Sequence, residues 1–168
     1  MTYPNDEYHN SLVRRLRTNP KAKEFDCGYF SNREGLNLFY RFWCRLGEDP
    51  NDAKVLVVHV HGITSHCEMS IQLADGLVSK NHIVCSFDLR GHGYSEGKRG
   101  DYTRFKGFIE NLADFLGFVQ ERYSEKKFIL SGESMGGLVV ALYMILIHDP
   151  SKLSINRIVF WAPAFGLN

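Results

Sequence analysis

Apolar positions along the chain switch repeatedly between the two-residue period of strands and the wider period of helices. Phe25 to Phe30 and Leu38 to Cys44 read as strands, and Asn32-Arg33-Glu34-Gly35 between them has the composition of a hairpin turn. Val55-Leu56-Val57-Val58-His59-Val60 is a nearly unbroken β-branched run, the pattern of a strand covered on both faces of a parallel sheet. Glu68 to Lys80 carries apolar residues at 69, 71, 73, 74, 77 and 78, a helical stripe. His82 to Phe87 predicts another buried strand, and the four glycines of Arg90 to Gly100 predict a loop. Phe105 to Tyr123 is helical in pattern, Lys127 to Leu130 a strand, and Met135 to His148 an apolar helix stopped by Asp149-Pro150. Ile155 to Trp161 is a final strand. Two strands able to pair antiparallel, then three strand–helix units and a strand, predict an α/β fold with a mainly parallel sheet and helices packed on it.

Residues 1–24 are polar with little periodicity, so they are expected to form an extension or short helix ahead of a core over 25–168. Arg14, Arg15 and Arg17 in that extension read as a solvated face, with contact to a membrane surface as the alternative. The 168 residues are 44% apolar and 23% charged, ordinary values for one globular domain. A formal net charge of +1 gives no electrostatic reason to expect nucleic acid as a partner. The start of the chain is polar and lacks the apolar stretch of a signal peptide, and the longest apolar run, Leu138 to Ile147, is too short to span a bilayer. A cytoplasmic location is the expectation, with association at a membrane surface left open. Cys27, Cys44, Cys67 and Cys85 are scattered without the spacing of a zinc site, and the last three sit in or beside apolar segments as buried free thiols would.

Three stretches carry chemistry. Gly132-Glu133-Ser134-Met135-Gly136-Gly137 is a G-x-S-x-G motif with a strand before it and a helix after it. That setting lifts a serine hydroxyl out of a sheet edge on a sharp turn, with Gly132 and Gly136 small because the turn is tight. The helix N-terminus beneath Ser134 supplies positive potential where negative charge develops. His61-Gly62-Ile63 closes the Val55 to Val60 strand, and the His61 side chain is expected to be structural. The third stretch, Asp88-Leu89-Arg90-Gly91-His92-Gly93-Tyr94-Ser95-Glu96-Gly97, has glycines suited to positive φ, and an Asp88–Arg90 pair is expected to brace it. No Gly-Lys-Ser/Thr follows, and no G-x-G-x-x-G opens a helix after a strand, so neither a P-loop nor a dinucleotide site is expected.

In this order, His61-Gly62, the Asp88-x-Arg90-Gly91-His92-Gly93-x-Ser95-x-Gly97 loop and Gly132-Glu133-Ser134-Met135-Gly136-Gly137 resemble the monoacylglycerol lipase/lysophospholipase group of α/β-hydrolases. This group is also described as the serine aminopeptidase S33-like, or Hydrolase_4, domain. Glu133 stands where many members have His, and the Gly-Glu-Ser-Met-Gly-Gly form resembles a branch that includes plant-type lysophospholipases. The resemblance covers about residues 25–165. It implies an α/β-hydrolase fold and cleavage of carboxylic esters, monoacylglycerols or lysophospholipids by expectation, through an acyl-Ser134 intermediate. The oxyanion would sit between the backbone N–H groups of Ile63 and Met135. No metal or organic cofactor is implied, and a peptidase or other acyl transferase on the same scaffold stays open.

The resemblance also implies the chain order Ser, then Asp or Glu, then His. After Ser134 the one Asp and one His are Asp149 and His148, adjacent, in reversed order and at the far end of the helix. They are read as a helix terminus and not as triad partners. The chain is therefore expected to correspond to the N-terminal portion of such a hydrolase, ending before the lid, the last strands and the triad acid and base, and to be weakly active or inactive by itself. The alternative is an inactive fragment or pseudoenzyme serving as a binding or split-subunit module. A sheet ending on an uncovered strand near Val159 is expected with it.

Overall fold

The computed structural model describes residues 21–77 and 82–166. Arg14, Arg15 and Arg17 lie outside the described residues. Six strands form one sheet: β1 (Ala22–Ser31), β2 (Asn37–Arg45), β3 (Val55–Val60), β4 (His82–Phe87), β5 (Lys127–Glu133) and β6 (Ile155–Trp161). Three helices connect the last four: α1 (Ile71–Leu77), α2 (Phe105–Arg122) and α3 (Met135–Leu146). The strand order is β1-β2-β4-β3-β5-β6. β1 and β2 form an antiparallel hairpin and β2 runs antiparallel to β4, whereas β3 to β6 are parallel.

The hairpin turn falls where its composition places it. Asn32 Oδ1 accepts from the N–H groups of Glu34 and Leu36, folding its side chain over the turn. β1 begins at Ala22, three residues before the expected Phe25. Its early residues are held by the ladder to β2, Lys23 against Cys44 and Glu24 against Trp43, and its polar start is carried on an edge strand. The register slips between Glu24 and Asp26, a bulge at Phe25.

Alternation along β3 explains why its sequence lacks a polar face. Leu56, Val58 and Val60 join a large core with Phe108, Leu112, Phe115, Val139 and Val140 of α2 and α3. Val57 faces the other way and packs with Trp43, Val84 and the α1 residues Ile71 and Ala74. Helices therefore cover both faces, as the sequence pattern requires, with α1 described over Ile71–Leu77. The expected helix over 68–80 is a 3₁₀ turn, Cys67–Ser70, followed by α1, and 78–80 lie outside the described residues. The Cys67 N–H is donated to the Asp88 carboxylate, which fixes the chain ahead of α1 in a tighter turn. Beyond α1 an apolar groove of about 460 Å³ opens against Val57, Ile129, Val159 and Trp161. β6 is correspondingly bare, with Val159 39% and Trp161 50% exposed, as expected of that edge. Cys44, Cys67 and Cys85 are buried free thiols, and Cys27 is exposed. Among the described residues no helix is long and apolar enough to cross a membrane.

The main core centres on Phe115, fully buried with its ring 4.6 Å from that of Phe87 and 5.2 Å from that of Phe30. Phe115→Ala is expected to lower stability by about 3–5 kcal/mol. Ile145→Ala, at a position 75% exposed, should change it by less than about 0.5 kcal/mol. Urea titrations of both variants check the contrast.

Candidate active site

The sheet order makes a switch point at β3. The chain leaves β3 toward β4 on one side and returns to β5 on the other. In open α/β sheets, ligands gather outside the carboxyl ends of strands at such a point. His61-Gly62 follows β3 there, and Ser134 follows β5.

Ser134 is the single residue between β5 and α3. Its backbone stands at φ 50°, ψ −116°, a conformation that costs a non-glycine residue about 1–3 kcal/mol and persists only where its surroundings impose it. The surroundings are specific. A Cβ on Gly136 would lie 2.2 Å from the Val60 carbonyl oxygen and 2.5 Å from that of His61, so α3 starts in direct contact with the end of β3. A Cβ on Gly132 would lie 2.5 Å from the Gly136 oxygen. The backbone of Ser134 is clamped from the end of β6 and the chain just after it: its N–H donates to the Trp161 carbonyl at 2.9 Å, and its carbonyl accepts from the Ala164 N–H at 3.1 Å. Ser134 itself is half-buried.

Gly62 closes on the serine from the other loop. A Cβ there would stand 3.2 Å from Ser134 Cβ, which brings the Ile63 stretch beside Ser134. Met135 is the first residue of α3, and the leading N–H groups of a helix have no intrahelical acceptor. Ile63 is 45% exposed at the rim.

His61 is fully buried, and both ring nitrogens are used. Nδ1 lies 2.7 Å from the Gly62 carbonyl and Nε2 accepts from the Leu89 N–H at 3.0 Å, which sets the proton on Nδ1. Its side chain thereby ties the loop after β3 to the loop after β4. Asp88 does not pair with Arg90 as expected. Its buried carboxylate accepts from the N–H groups of Cys67 at 2.6 Å and Tyr94 at 2.7 Å, while Arg90 reaches Glu34 at 3.1 Å. One backbone amide inside the loop, Tyr94, and one ahead of α1, Cys67, satisfy the buried carboxylate without desolvating a guanidinium, and the long Arg90 side chain reaches partly solvated Glu34 instead. Gly91, Gly93 and Gly97 take positive φ as expected.

His148 and Asp149 are at the opposite end of α3, whose 12 residues span roughly 18 Å. The His148 N–H donates to the Tyr143 carbonyl, and Asp149 accepts from Ser151. Among the described residues no three His, Cys, Asp or Glu side chains gather as a metal site would need. A cleft of about 280 Å³ opens on the α1 side of the motif, lined in part by His59, His61, Ser65, Glu133 and Trp161. His59, Ser131 and Trp161 were not singled out by sequence reasoning, although a histidine inside an apolar strand was a visible signal.

Residues 51–168 match the family described as Serine aminopeptidase, S33 (Hydrolase_4). The chain belongs to this family of α/β-hydrolases. It is 33% identical over 126 residues to a monoglyceride lipase of Rattus norvegicus, covering 75% of this chain and 40% of that protein. It is 26% identical over 151 residues to a probable lysophospholipase L2 of Haemophilus influenzae, covering 88% and 46%. The hydrolase fold recurs in the ferulic-acid-bound structure of Est1E from Butyrivibrio proteoclasticus, with a TM-score of 0.68 at 22% identity over 82% of this chain and 53% of that one. The chain spans about two fifths of the length of the monoglyceride lipases it matches.

Two predictions test this geometry. Gly136→Ala forces a methyl group into two backbone carbonyls, so it should destabilise the protein by more than about 2 kcal/mol, whereas Gly117→Ala, with open space at its Cβ, should not. Denaturant midpoints decide this. Burial lowers His59 and His61 to about 4, below the 6.5 of an unfolded histidine. Between those values the unfolded chain binds more protons than the folded one, so the two histidines contribute stability that is complete above about pH 6.5 and lost as pH falls toward 4. Unfolding at pH 5 should take up close to two protons at these sites, and His61→Gln should remove one of them.

Proposed function

We propose that this chain carries the nucleophile of a serine ester hydrolase acting on monoacylglycerols or lysophospholipids. The observation that supports the reading most is Ser134 itself, held at φ 50° as the only residue between β5 and α3. A hydroxyl on so sharp a turn stands clear of the sheet for attack on a carbonyl carbon. As the Ser134 Oγ–carbon bond forms, the carbonyl π electrons move to its oxygen, and the N–H groups of Ile63 and Met135 stabilise that oxyanion. Collapse breaks the carbon–alkoxy bond, the alcohol leaves with the proton that Ser134 Oγ gave up on attack, and acyl-Ser134 remains. Water then adds to the acyl carbon, and a second collapse releases the carboxylic acid and restores the hydroxyl. In this reading His61 orders the oxyanion loop and does not move protons, because both its nitrogens are engaged. The general base and its acid partner are not His148 and Asp149. They belong to the part of a full-length hydrolase that these residues do not cover.

The substrate class is supported by the relatives, one a monoglyceride lipase and one a probable lysophospholipase by name. The family description, a serine aminopeptidase, supports the second reading, cleavage of an aminoacyl amide. Assays of the full-length protein on a monoacylglycerol, a lysophospholipid and an aminoacyl anilide separate the two. We expect turnover of the glycerol ester or the lysolipid, with Ser134→Ala lowering kcat by at least about a thousandfold. Preference for the anilide would favour the peptidase. Absence of all three activities would favour a non-catalytic binding or split-subunit module, and full activity of Ser134→Ala would overturn the assignment.

A further inference from the structure

Neither the resemblance nor the mechanism accounts for a line of polar groups under the Ser134 turn. His59 of β3 and Ser131 of β5 are register partners on the α1 face of the sheet, 6% and 2% exposed. Placing a histidine and a serine there is unfavourable unless they are hydrogen-bonded. They are, and the bonds form one continuous line. Trp161 Nε1–H donates to Ser131 Oγ at 3.0 Å, and Ser131 Oγ lies 3.1 Å from His59 Nδ1. While accepting from the indole N–H, Ser131 Oγ keeps its own O–H and a second lone pair for the contact with His59 Nδ1. Burial keeps the His59 ring neutral.

The outer end of this line is half exposed. Trp161 is 50% exposed, so packing alone does not fix its ring. Yet its backbone begins the segment that holds the turn. The Trp161 carbonyl accepts the Ser134 N–H, Ala162 turns the chain at φ 40°, and Ala164 N–H donates to the Ser134 carbonyl. Between them, Pro163 lies 2.8 Å from where a Cβ on Gly137 would stand. The Ser134 N–H and one of the two hydrogen bonds to its carbonyl thus rest on residues 161–164, the other coming from the Leu138 N–H, and the indole is a side-chain anchor that ties this segment to the sheet.

We propose that His59, Ser131 and Trp161 form a positioning relay that sets the backbone of the Ser134 turn. None of the three touches a reacting atom. The relay rests on the nucleophile reading only for its effect on catalysis; its structural effect is independent of it.

The test uses Ser131→Val and Ser131→Thr in the full chain. The two side chains have nearly the same shape, both suit a strand, and only threonine keeps the hydroxyl. Trp161→Phe removes the donor and keeps an aromatic ring. Amide hydrogen exchange is read at Ser134 and Ala164, with the Asp88 amide, bonded to the Phe39 carbonyl, as the control. Ser131→Val and Trp161→Phe are expected to speed exchange at Ser134 and Ala164 roughly two- to tenfold, the loss of one neutral hydrogen bond. Asp88 should not change, and Ser131→Thr should behave as the parent protein. Unchanged exchange in the valine variant, or a loss of protection shared equally by Asp88, would overturn the relay. The rate of fluorophosphonate reaction at Ser134 is read in parallel and should fall in the valine variant but not in the threonine variant. If Ser134 of the parent protein does not react at all, the nucleophile reading fails, while the exchange data still decide the relay.

Discussion

The geometry at the carboxyl edge of the sheet depends on one close approach, that of Gly136 at the start of α3 to the carbonyls of Val60 and His61 at the end of β3. No side chain fits between them. With α3 pressed against β3, one residue must make the turn from β5 into the helix, and Ser134 accepts a strained backbone to do so. The same approach brings Gly62 against Ser134. The loop after β3, the serine and the helix N-terminus are therefore parts of one packing arrangement, stabilised by the burial of α2 and α3 on the sheet behind it.

That arrangement also explains why so much lies buried in polar form near the edge. Strain of this kind needs rigid surroundings, and the loops after β3 and β4 provide them through hydrogen bonds as well as through the apolar packing of Leu89 and Tyr94. His61 ties one loop to the other, and Asp88 collects two backbone amides. Each group is buried with partners, so each contributes order without the cost of an unsatisfied charge.

The strands, their order of appearance and the sharp turn at Ser134 were legible because each is written in local pattern. Continuous β-branched runs, the Asn32–Gly35 turn and the glycines flanking Ser134 depend on near neighbours. What was not legible depends on groups distant in sequence. Asp88 and Arg90 look like partners at a spacing of two, but the carboxylate is taken by Cys67 and Tyr94 and the guanidinium by Glu34. The same holds for the His59–Ser131–Trp161 line, which needs the β3–β5 register and the return of β6 before it exists. The helix expected from Glu68 starts at Ile71 because the turn ahead of it is bound to Asp88 through the Cys67 N–H, a contact that helical periodicity does not encode.

Family membership and the geometry of Ser134 meet in a single chemical claim, that this hydroxyl becomes covalently acylated. Treating the full-length protein with a fluorophosphonate and locating the adduct by peptide mass spectrometry tests that claim most directly. The account predicts one phosphonylated residue, Ser134, and no adduct in Ser134→Ala. An unlabelled Ser134, or a label on another serine that persists in the variant, would contradict it.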